Sequence, residues 1–443
     1  MSLQKMHGVW SNRWIFVLAA TGSAVGLGNI WKFPYIVGEN GGGAFVLVYL
    51  LCIALVGIPI MLAEVLLGRR GRQSPVNSMR YIVKEANQNK AWVLIGIAGV
   101  VAGLCILSFY SIVASWILHY VVSMVKGTFE GLQAAQVSDY FGAVRGNHLV
   151  IAGLHTLFIL MNVGVVALGV TRGLGMVARI LMPLLFAMLL VLLGYAIARG
   201  DFAQALSFMF SFKLSDLTSD SILTALGHAF FTLSLGMGAI MAYGAYMPGK
   251  ASIGQTVLLV GVLDTLVALV AGLAIFPIVF VSGIEPSSGP GLLFVSLPVA
   301  FSGMTGGAFF GTLFFALVML AAWSSAVSLI EPGVAWLVET KRFNRAQATA
   351  LLGGIGWLGG LGCLYSDSLF DFLDILTSQF LLPLGGLCIA VFVGWFLPRK
   401  LVANEMNWEG HPMMEIWMFV LRYVSPVLVA LIFVMAIFNK FFK

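Results

Sequence analysis

Gly22-Ser-Ala-Val-Gly-Leu-Gly-Asn-Ile-Trp-Lys-Phe-Pro34 lies in the middle of an apolar segment long enough to be a membrane helix. Three glycines and a proline in thirteen residues are poor material for a continuous helix. In lipid a broken backbone leaves N–H and C=O groups unpaired, at a cost of several kcal/mol each, unless something polar fills the gap. A helix that breaks at that depth is therefore a candidate for holding something polar. A second glycine-rich interruption, Ser234-Leu-Gly-Met-Gly238, follows about two hundred residues later. Two interrupted helices in matching positions of two halves point to a secondary transporter with a binding site at the bilayer midplane.

The rest of the chain agrees with a membrane setting. Of 443 residues, 60% are hydrophobic and 9% are charged. About eleven apolar stretches approach the twenty residues needed to cross a bilayer. They fall near 13–37, 42–68, 91–125, 147–169, 174–198, 222–246, 253–283, 306–338, 346–364, 370–397 and 415–438. The expected fold is an all-α integral membrane protein forming one transmembrane domain. No cleavable signal peptide is expected, because the first span runs directly into the glycine-rich motif.

Basic residues suggest the orientation. Lys5 and Arg13 precede or open the first span. Arg69, Arg70, Arg72, Arg80, Lys84 and Lys90 follow the second, Lys341, Arg342 and Arg345 follow the eighth, and Arg399 and Lys400 follow the tenth. All lie on one side if the N-terminus is cytoplasmic, as expected for a multi-pass protein of the cell (inner) membrane. Lys440 and Lys443 then fall outside, a mild breach of the same rule. The net charge of +6 reads as a topology signal, not as a nucleic-acid footprint. Cys52, Cys105, Cys363 and Cys388 all lie in apolar spans without a CxxC pair and read as packing residues. No nucleophile–base pair or His/Cys/Asp cluster suggests an enzyme.

The ionisable residues inside the spans are Glu39, Glu64, His228, Asp264, Glu331, Asp371 and Asp374. Such groups are costly in lipid and are functional or paired. For Glu39, Asp371 and Asp374 a place at a helix end near water is the plainer reading. Asp264 stands alone in Val260-Gly-Val-Leu-Asp-Thr-Leu-Val-Ala-Leu-Val-Ala-Gly272 and calls for a cation or a protonation switch. A broken helix offers a half-helix N-terminus to a carboxylate and unwound carbonyls to a hard cation. Such a cation takes about five or six oxygens. Asn29, Thr232, Asp264, Ser324 and Ser325 are candidate donors. Two plainer readings compete: Ser324 and Ser325 bonding back to their own helix, and Gly22-xxx-Gly26 serving only helix packing.

Gly26-Leu-Gly-Asn-Ile-Trp-Lys-Phe-Pro34, Glu39-Asn-Gly-Gly-Gly-Ala-Phe45, Gly57-Ile-Pro59 with Glu64, Ser108-Phe-Tyr110, Phe230-Phe-Thr-Leu-Ser-Leu-Gly-Met-Gly238 and Trp323-Ser-Ser325 occur in that order. In this the chain resembles the neurotransmitter:sodium symporter family over nearly its whole length, above all the bacterial eleven-helix amino-acid transporters. The resemblance implies a 5+5 inverted repeat, about 13–198 against 222–397, with an appended helix at about 415–438. Helices 1 and 6 are then unwound at the midplane, around an amino acid and two sodium ions. It places the first sodium at Ala24, Asn29, Thr232 and Asp264, and the second at Gly22, Val25, Ala321, Ser324 and Ser325. It places the substrate carboxylate on Leu27, Gly28 and Tyr110 and the ammonium near Ala24, Phe231 and Ser234, with Thr232 also among the substrate residues. The side-chain pocket is then Ile106, Phe231, Met237, Ser325 and Leu329, with Ser23 beside it. None of these is charged, which favours a neutral, hydrophobic or aromatic L-amino acid.

The same resemblance implies an outer gate of Lys32 and Asp374 and an inner one of Trp10, Tyr246 and Glu339. Lys32 replaces the commoner Arg and loses its bidentate geometry. The N-terminal arginine of the inner gate is missing, so Lys5 or His7 must substitute. Gly173 and Pro183 in span 5 suggest either an unwinding segment that admits water to the second sodium or an ordinary kink. Chloride-dependent relatives bind their anion near Tyr49, His228, Thr232 and a span-7 serine. That serine is Ala268 here, while Asp264 brings a charge of its own, so chloride is not expected. The expected function is sodium-coupled symport by alternating access, with a non-transporting membrane sensor as the alternative. The expected partners are the amino acid and membrane lipid, with no nucleic acid.

Overall fold

The computed structural model describes residues 8–213, 217–283 and 291–442. Lys5, His7 and Lys443 lie outside the described residues, and no side-chain position is described for Lys440. Among the described residues the chain is helical, with no strand. Nine helices are long and apolar enough to cross a membrane: Gly43–Gly71, Lys90–Val125, His148–Ala167, Val170–Arg199, Ile253–Val281, Gly307–Glu339, Arg345–Tyr365, Asp367–Phe396 and Pro412–Met435. A tenth crossing is the bent pair Arg13–Ala24 and Gly28–Glu39, which turns through 51°. The segment expected at 222–246 consists of two shorter helices, Ser219–Thr232 and Ala239–Tyr246, which we count together as a further span. We number these crossings spans 1 to 11 in chain order.

Local sequence sets where they start. Asn12 accepts the Ile15 N–H at 3.1 Å and opens span 1. Asn344 and Gln347 exchange side-chain to backbone bonds of 2.9 and 3.1 Å in a capping box that opens span 9. The apolar length of each span is then buried by its neighbours. Span 8 packs most extensively on span 3, and the second half of span 6 on span 2.

The two interruptions differ in build. In span 1 only Val25-Gly-Leu27 leaves the helix. Gly28–Lys32 then forms a wide turn, closed by the Phe33 N–H on the Gly28 carbonyl. Pro34 sits at the start of the next helix, Phe33–Glu39, where a missing N–H costs nothing. Pro34 therefore continues the span rather than breaking it. Span 6 stays unwound over Leu233 to Gly238, with Ser234, Gly236 and Gly238 at positive φ. Gly236 is required twice over: φ is +78°, and a Cβ there would lie 2.3 Å from the Leu382 carbonyl oxygen. Ser234 holds its unfavourable φ of 54° by donating its hydroxyl to the Ser23 carbonyl at 2.8 Å, which ties one break to the other.

Glu39 and Asp371 are exposed, in keeping with helix ends near water. Glu64 is fully buried on span 2 and accepts the Gly236 N–H at 2.6 Å. It satisfies a backbone donor that the break in span 6 would otherwise leave bare. The four cysteines are unpaired.

Candidate substrate and cation site

The breaks bring together residues that are two hundred or more positions apart in the chain. At the first, Asn29 Oδ1 accepts the Gly26 N–H at 3.1 Å, so the amide holds the loop that precedes it. Asn29 Nδ2 donates to Asp264 Oδ1 at 2.8 Å and to the Asp264 carbonyl at 3.1 Å. The Thr232 hydroxyl donates to Asp264 Oδ2 at 3.1 Å. Asn29, Thr232 and Asp264 are all fully buried. Among the described residues Asp264 forms no ion pair with Lys, Arg or His. A buried carboxylate with hydrogen bonds but no protein cation has an unmet demand for positive charge. The oxygen-rich cluster thus fits a small hard cation.

The second candidate cation set also converges. Ser325 reaches across to span 1 and donates to the Val25 carbonyl at 3.1 Å, with the Gly22 carbonyl at 3.4 Å. Ser324 does follow the plainer reading and bonds back to the Ala321 carbonyl at 3.0 Å. One hydroxyl serves its own helix and its neighbour bridges two. All five residues of the set, Gly22, Val25, Ala321, Ser324 and Ser325, are thereby gathered where span 8 meets the break in span 1.

Between the breaks lies a small cavity of about 20 Å³ lined by Ser23, Ala24, Gly26, Leu27, Gly28, Ile106, Tyr110, Phe231, Ser234, Met237, Ser325 and Leu329. Of the expected substrate residues only Thr232 is absent from this wall, because its hydroxyl turns to Asp264. Gly26 was missed and is part of it. A Cβ at Gly26 would fall 2.3 Å from Ser325 Oγ and 3.1 Å from the Tyr110 hydroxyl, so no larger residue fits without displacing both. The close Gly22-xxx-Gly26 spacing had drawn attention only as a packing motif.

The Leu27 N–H points at the Tyr110 hydroxyl at 3.4 Å, a long bond between two groups expected to share a carboxylate. If they do, Tyr110→Phe deletes one charge-assisted bond, worth roughly 1.5–3 kcal/mol, and should weaken amino-acid binding about ten- to hundredfold. Equilibrium binding of labelled substrate reads this directly. An unchanged dissociation constant would place the carboxylate elsewhere.

Above the cavity is a vestibule of about 860 Å³ whose walls include Lys32, Glu39, Asp220, His228, Phe231 and Asp374. Phe231 lines both spaces and separates them. Lys32 and Asp374, expected to pair, face the vestibule without an ion pair among the described residues. The Lys32 ammonium instead lies over the Phe231 ring, 4.7 Å from its centroid. The single point charge of lysine lets it take the aromatic face, which lies on its own side of the opening.

The opposite end is held together by hydrogen bonds and a buried ion pair. The Tyr246 hydroxyl donates to Glu331 at 2.6 Å. Glu331 is fully buried and ion-paired with Arg345, which also donates to the Val166 carbonyl at 2.7 Å. Glu339 accepts from the Ser74 N–H at 2.7 Å, from the Ser74 hydroxyl and from Asn77 at 2.6 Å. It thus ties the end of span 8 to the loop after span 2. Trp10 is bonded at this end through its backbone N–H, to the Tyr246 carbonyl at 3.1 Å, and through its indole N–H, to the Val170 carbonyl at 3.2 Å. Glu331 was visible as a charge inside an apolar span. Arg345 was visible only as a loop charge, and no local pattern links the two.

Span 5 is wound in this structure. Val170–Leu174 forms a wide turn that contains Gly173, and the helix Gly175–Arg199 runs through Pro183. Its Met182 packs against Gly22, beside the second cation set.

Comparison with known proteins agrees with this geometry. The sequence profile of the Sodium:neurotransmitter symporter family matches residues 7–136 and 146–441. An uncharacterized sodium-dependent transporter of Bacillus subtilis, YhdH, is 35% identical, with 96% of each chain covered. The sodium- and chloride-dependent taurine transporter of Rattus norvegicus is 25% identical over 82% of this chain and 67% of its own. A crystal structure of MhsT in complex with L-phenylalanine superposes with a TM-score of 0.88 at 39% identity, covering 97% of this chain and 99% of that one.

Proposed function

This chain belongs to the Sodium:neurotransmitter symporter family, and from that premise we propose that it carries a neutral, hydrophobic or aromatic L-amino acid into the cell together with sodium. Its relatives are transporters, not enzymes, and several are sodium-dependent by name. The observation that carries the substrate reading is one shared wall. Ala24, Leu27 and Gly28 line the cavity, while the next residue, Asn29, holds Asp264. A ligand carboxylate placed on the Leu27 and Gly28 N–H groups would therefore lie beside the cation at Asn29, Thr232 and Asp264. Ion and substrate each complete the other's site, which is the shared free energy that coupling needs. No charged side chain lines the cavity. Met237 makes one wall adaptable in size. L-Phenylalanine, bound by MhsT, is the first substrate to test.

In this reading two sodium ions are bound, the second at Gly22, Val25, Ala321, Ser324 and Ser325. The halves 13–198 and 222–397 form an inverted repeat in the inner membrane, with the N-terminus cytoplasmic, and the rocking of one helix bundle opens the inner side. Phe231 and the vestibule form the outer approach, and the Trp10, Tyr246, Glu331 and Arg345 cluster closes the inner one. Loosening of span 5 at Gly173 would move Met182 away from Gly22 and let water reach the second ion.

Labelled phenylalanine uptake into proteoliposomes tests the proposal. Accumulation is expected with an inward sodium gradient and not with choline. Sodium-dependent binding without accumulation would make the protein a sensor. Equal binding in sodium and choline would remove the cation from the substrate site altogether.

A further inference from the structure

We propose that Arg422, on span 11, binds the phosphate of an anionic phospholipid in the leaflet at the same end of the molecule as Trp10 and Arg69. Arg422 is a charged residue in the interior of span 11, whose one other charged residue up to Met435 is Glu415 near its start. Among the described residues it forms no ion pair with Asp or Glu. An arginine stays protonated in proteins, so it cannot escape the cost by losing its proton. A cation at this depth needs either a partner or a route to the headgroups.

Two facing irregularities build the place it occupies. Span 10 ends in a wide turn, Phe392–Phe396, and span 11 carries another, Val420–Val424. Gly394 and Arg422 are the middle residues of these two turns, and the turns touch. The Arg422 Nε–H donates to the Gly394 carbonyl. The Trp395 indole N–H donates to the Arg422 carbonyl at 3.3 Å. The exchange satisfies carbonyls in the distorted turns on both helices. Gly394 leaves room for the approach: a Cβ there would lie 3.0 Å from Arg422 Cγ, a tight contact. One edge of the guanidinium is thereby fixed, and its two terminal amino groups have no carboxylate to meet.

The surroundings match a headgroup boundary. Trp395 and Tyr423 are 55% and 48% exposed and in edge contact, with ring centroids 5.4 Å apart. Such half-exposed tryptophan and tyrosine mark the membrane–water interface. Gly394 is two residues from the end of span 10. Glu415, paired with the exposed Arg399, is seven residues toward the water from Arg422, about 10 Å along the helix. Arg422 is thus within snorkelling reach of lipid phosphates. A fixed planar fork with free donors is suited to a phosphodiester, and a net negative lipid supplies the missing charge.

Native mass spectrometry of the detergent-solubilised full chain tests this, with added phosphatidylglycerol or phosphatidylcholine. The wild type should retain phosphatidylglycerol in preference to phosphatidylcholine. Arg422→Gln should lower that retention at least about fivefold, and Arg422→Lys should keep part of it. Equal retention by wild type and Arg422→Gln would overturn the proposal. Displacement of the lipid by inorganic phosphate would overturn the lipid as occupant. Loss of a dimer in Arg422→Gln without any lipid preference would point instead to a second copy's carboxylate. If Arg422→Gln does not fold, the wild type alone decides. Its thermal midpoint should rise with phosphatidylglycerol and not with phosphatidylcholine, and equal rises would refute the site.

Discussion

Arg345→Gln is expected to lower the thermal midpoint sharply and to abolish sodium-driven uptake. The double variant with Glu331→Gln should recover most of the lost stability. The Glu331 side chain is 0% exposed and that of Arg345 is 18% exposed. Removing one partner of a buried pair leaves the other charge uncompensated, at a cost of about 3–5 kcal/mol. Glu331 cannot turn to water while Tyr246 and Trp10 cover it. The strain is relieved only by opening that end of the molecule or by unfolding. Glu331→Gln alone should cost less, because Arg345 is partly exposed and keeps the Val166 carbonyl as an acceptor. The order of thermal midpoints is therefore wild type, then the double variant and Glu331→Gln, with Arg345→Gln last. Additive losses in the double variant would show that the two residues do not act as a pair.

Asp264→Asn should weaken sodium binding about a hundredfold, or roughly 2.7 kcal/mol. A unit charge 4 Å from another is worth about 4 kcal/mol at an effective dielectric of 20. Part of that is returned, because a neutral amide is cheaper to bury. Asn29 and Thr232 would still have an oxygen to bond, so the fold should survive and the loss should appear in the sodium titration of substrate binding. The same charge underlies the expectation that uptake does not need chloride. Tyr49, His228 and Thr232 are buried together, and the Tyr49 and His228 rings are 5.5 Å apart, but the nearby residue at 268 is alanine. Replacing chloride by gluconate at constant sodium should leave wild-type uptake unchanged. Asp264→Asn with Ala268→Ser should gain a partial chloride requirement, since the charge is gone and a hydroxyl is supplied. A chloride-dependent wild type would contradict the role given to Asp264. A double variant without any chloride response would shift the compensating role to Glu64.

Much of this protein could be read from its sequence, and the reason is the membrane. Lipid admits few backbone solutions, so apolar length located the crossings, and glycine-rich interruptions within them located the breaks. Lone polar residues in apolar runs stand out for the same reason, which is why Asp264 and Glu331 were visible without any structure. The family resemblance then named the wall of the cavity, of which Gly26 alone was missed. Three matters were decided only by tertiary contact. Pro34 reads as a breaker, yet the wide turn before it supplies a start at which proline fits. Lys32 reads as half of an ion pair, yet its ammonium lies over the Phe231 ring and forms no ion pair with Asp374 among the described residues. Glu331 reads as a lone charge in an apolar span and Arg345 as a loop charge, yet the two pair, and the Tyr246 hydroxyl joins them at Glu331. In each case the sequence determined which chemical groups face the interior, because burying them has a large and local cost. Which group met which depended on distances set by the packing of helices remote in sequence.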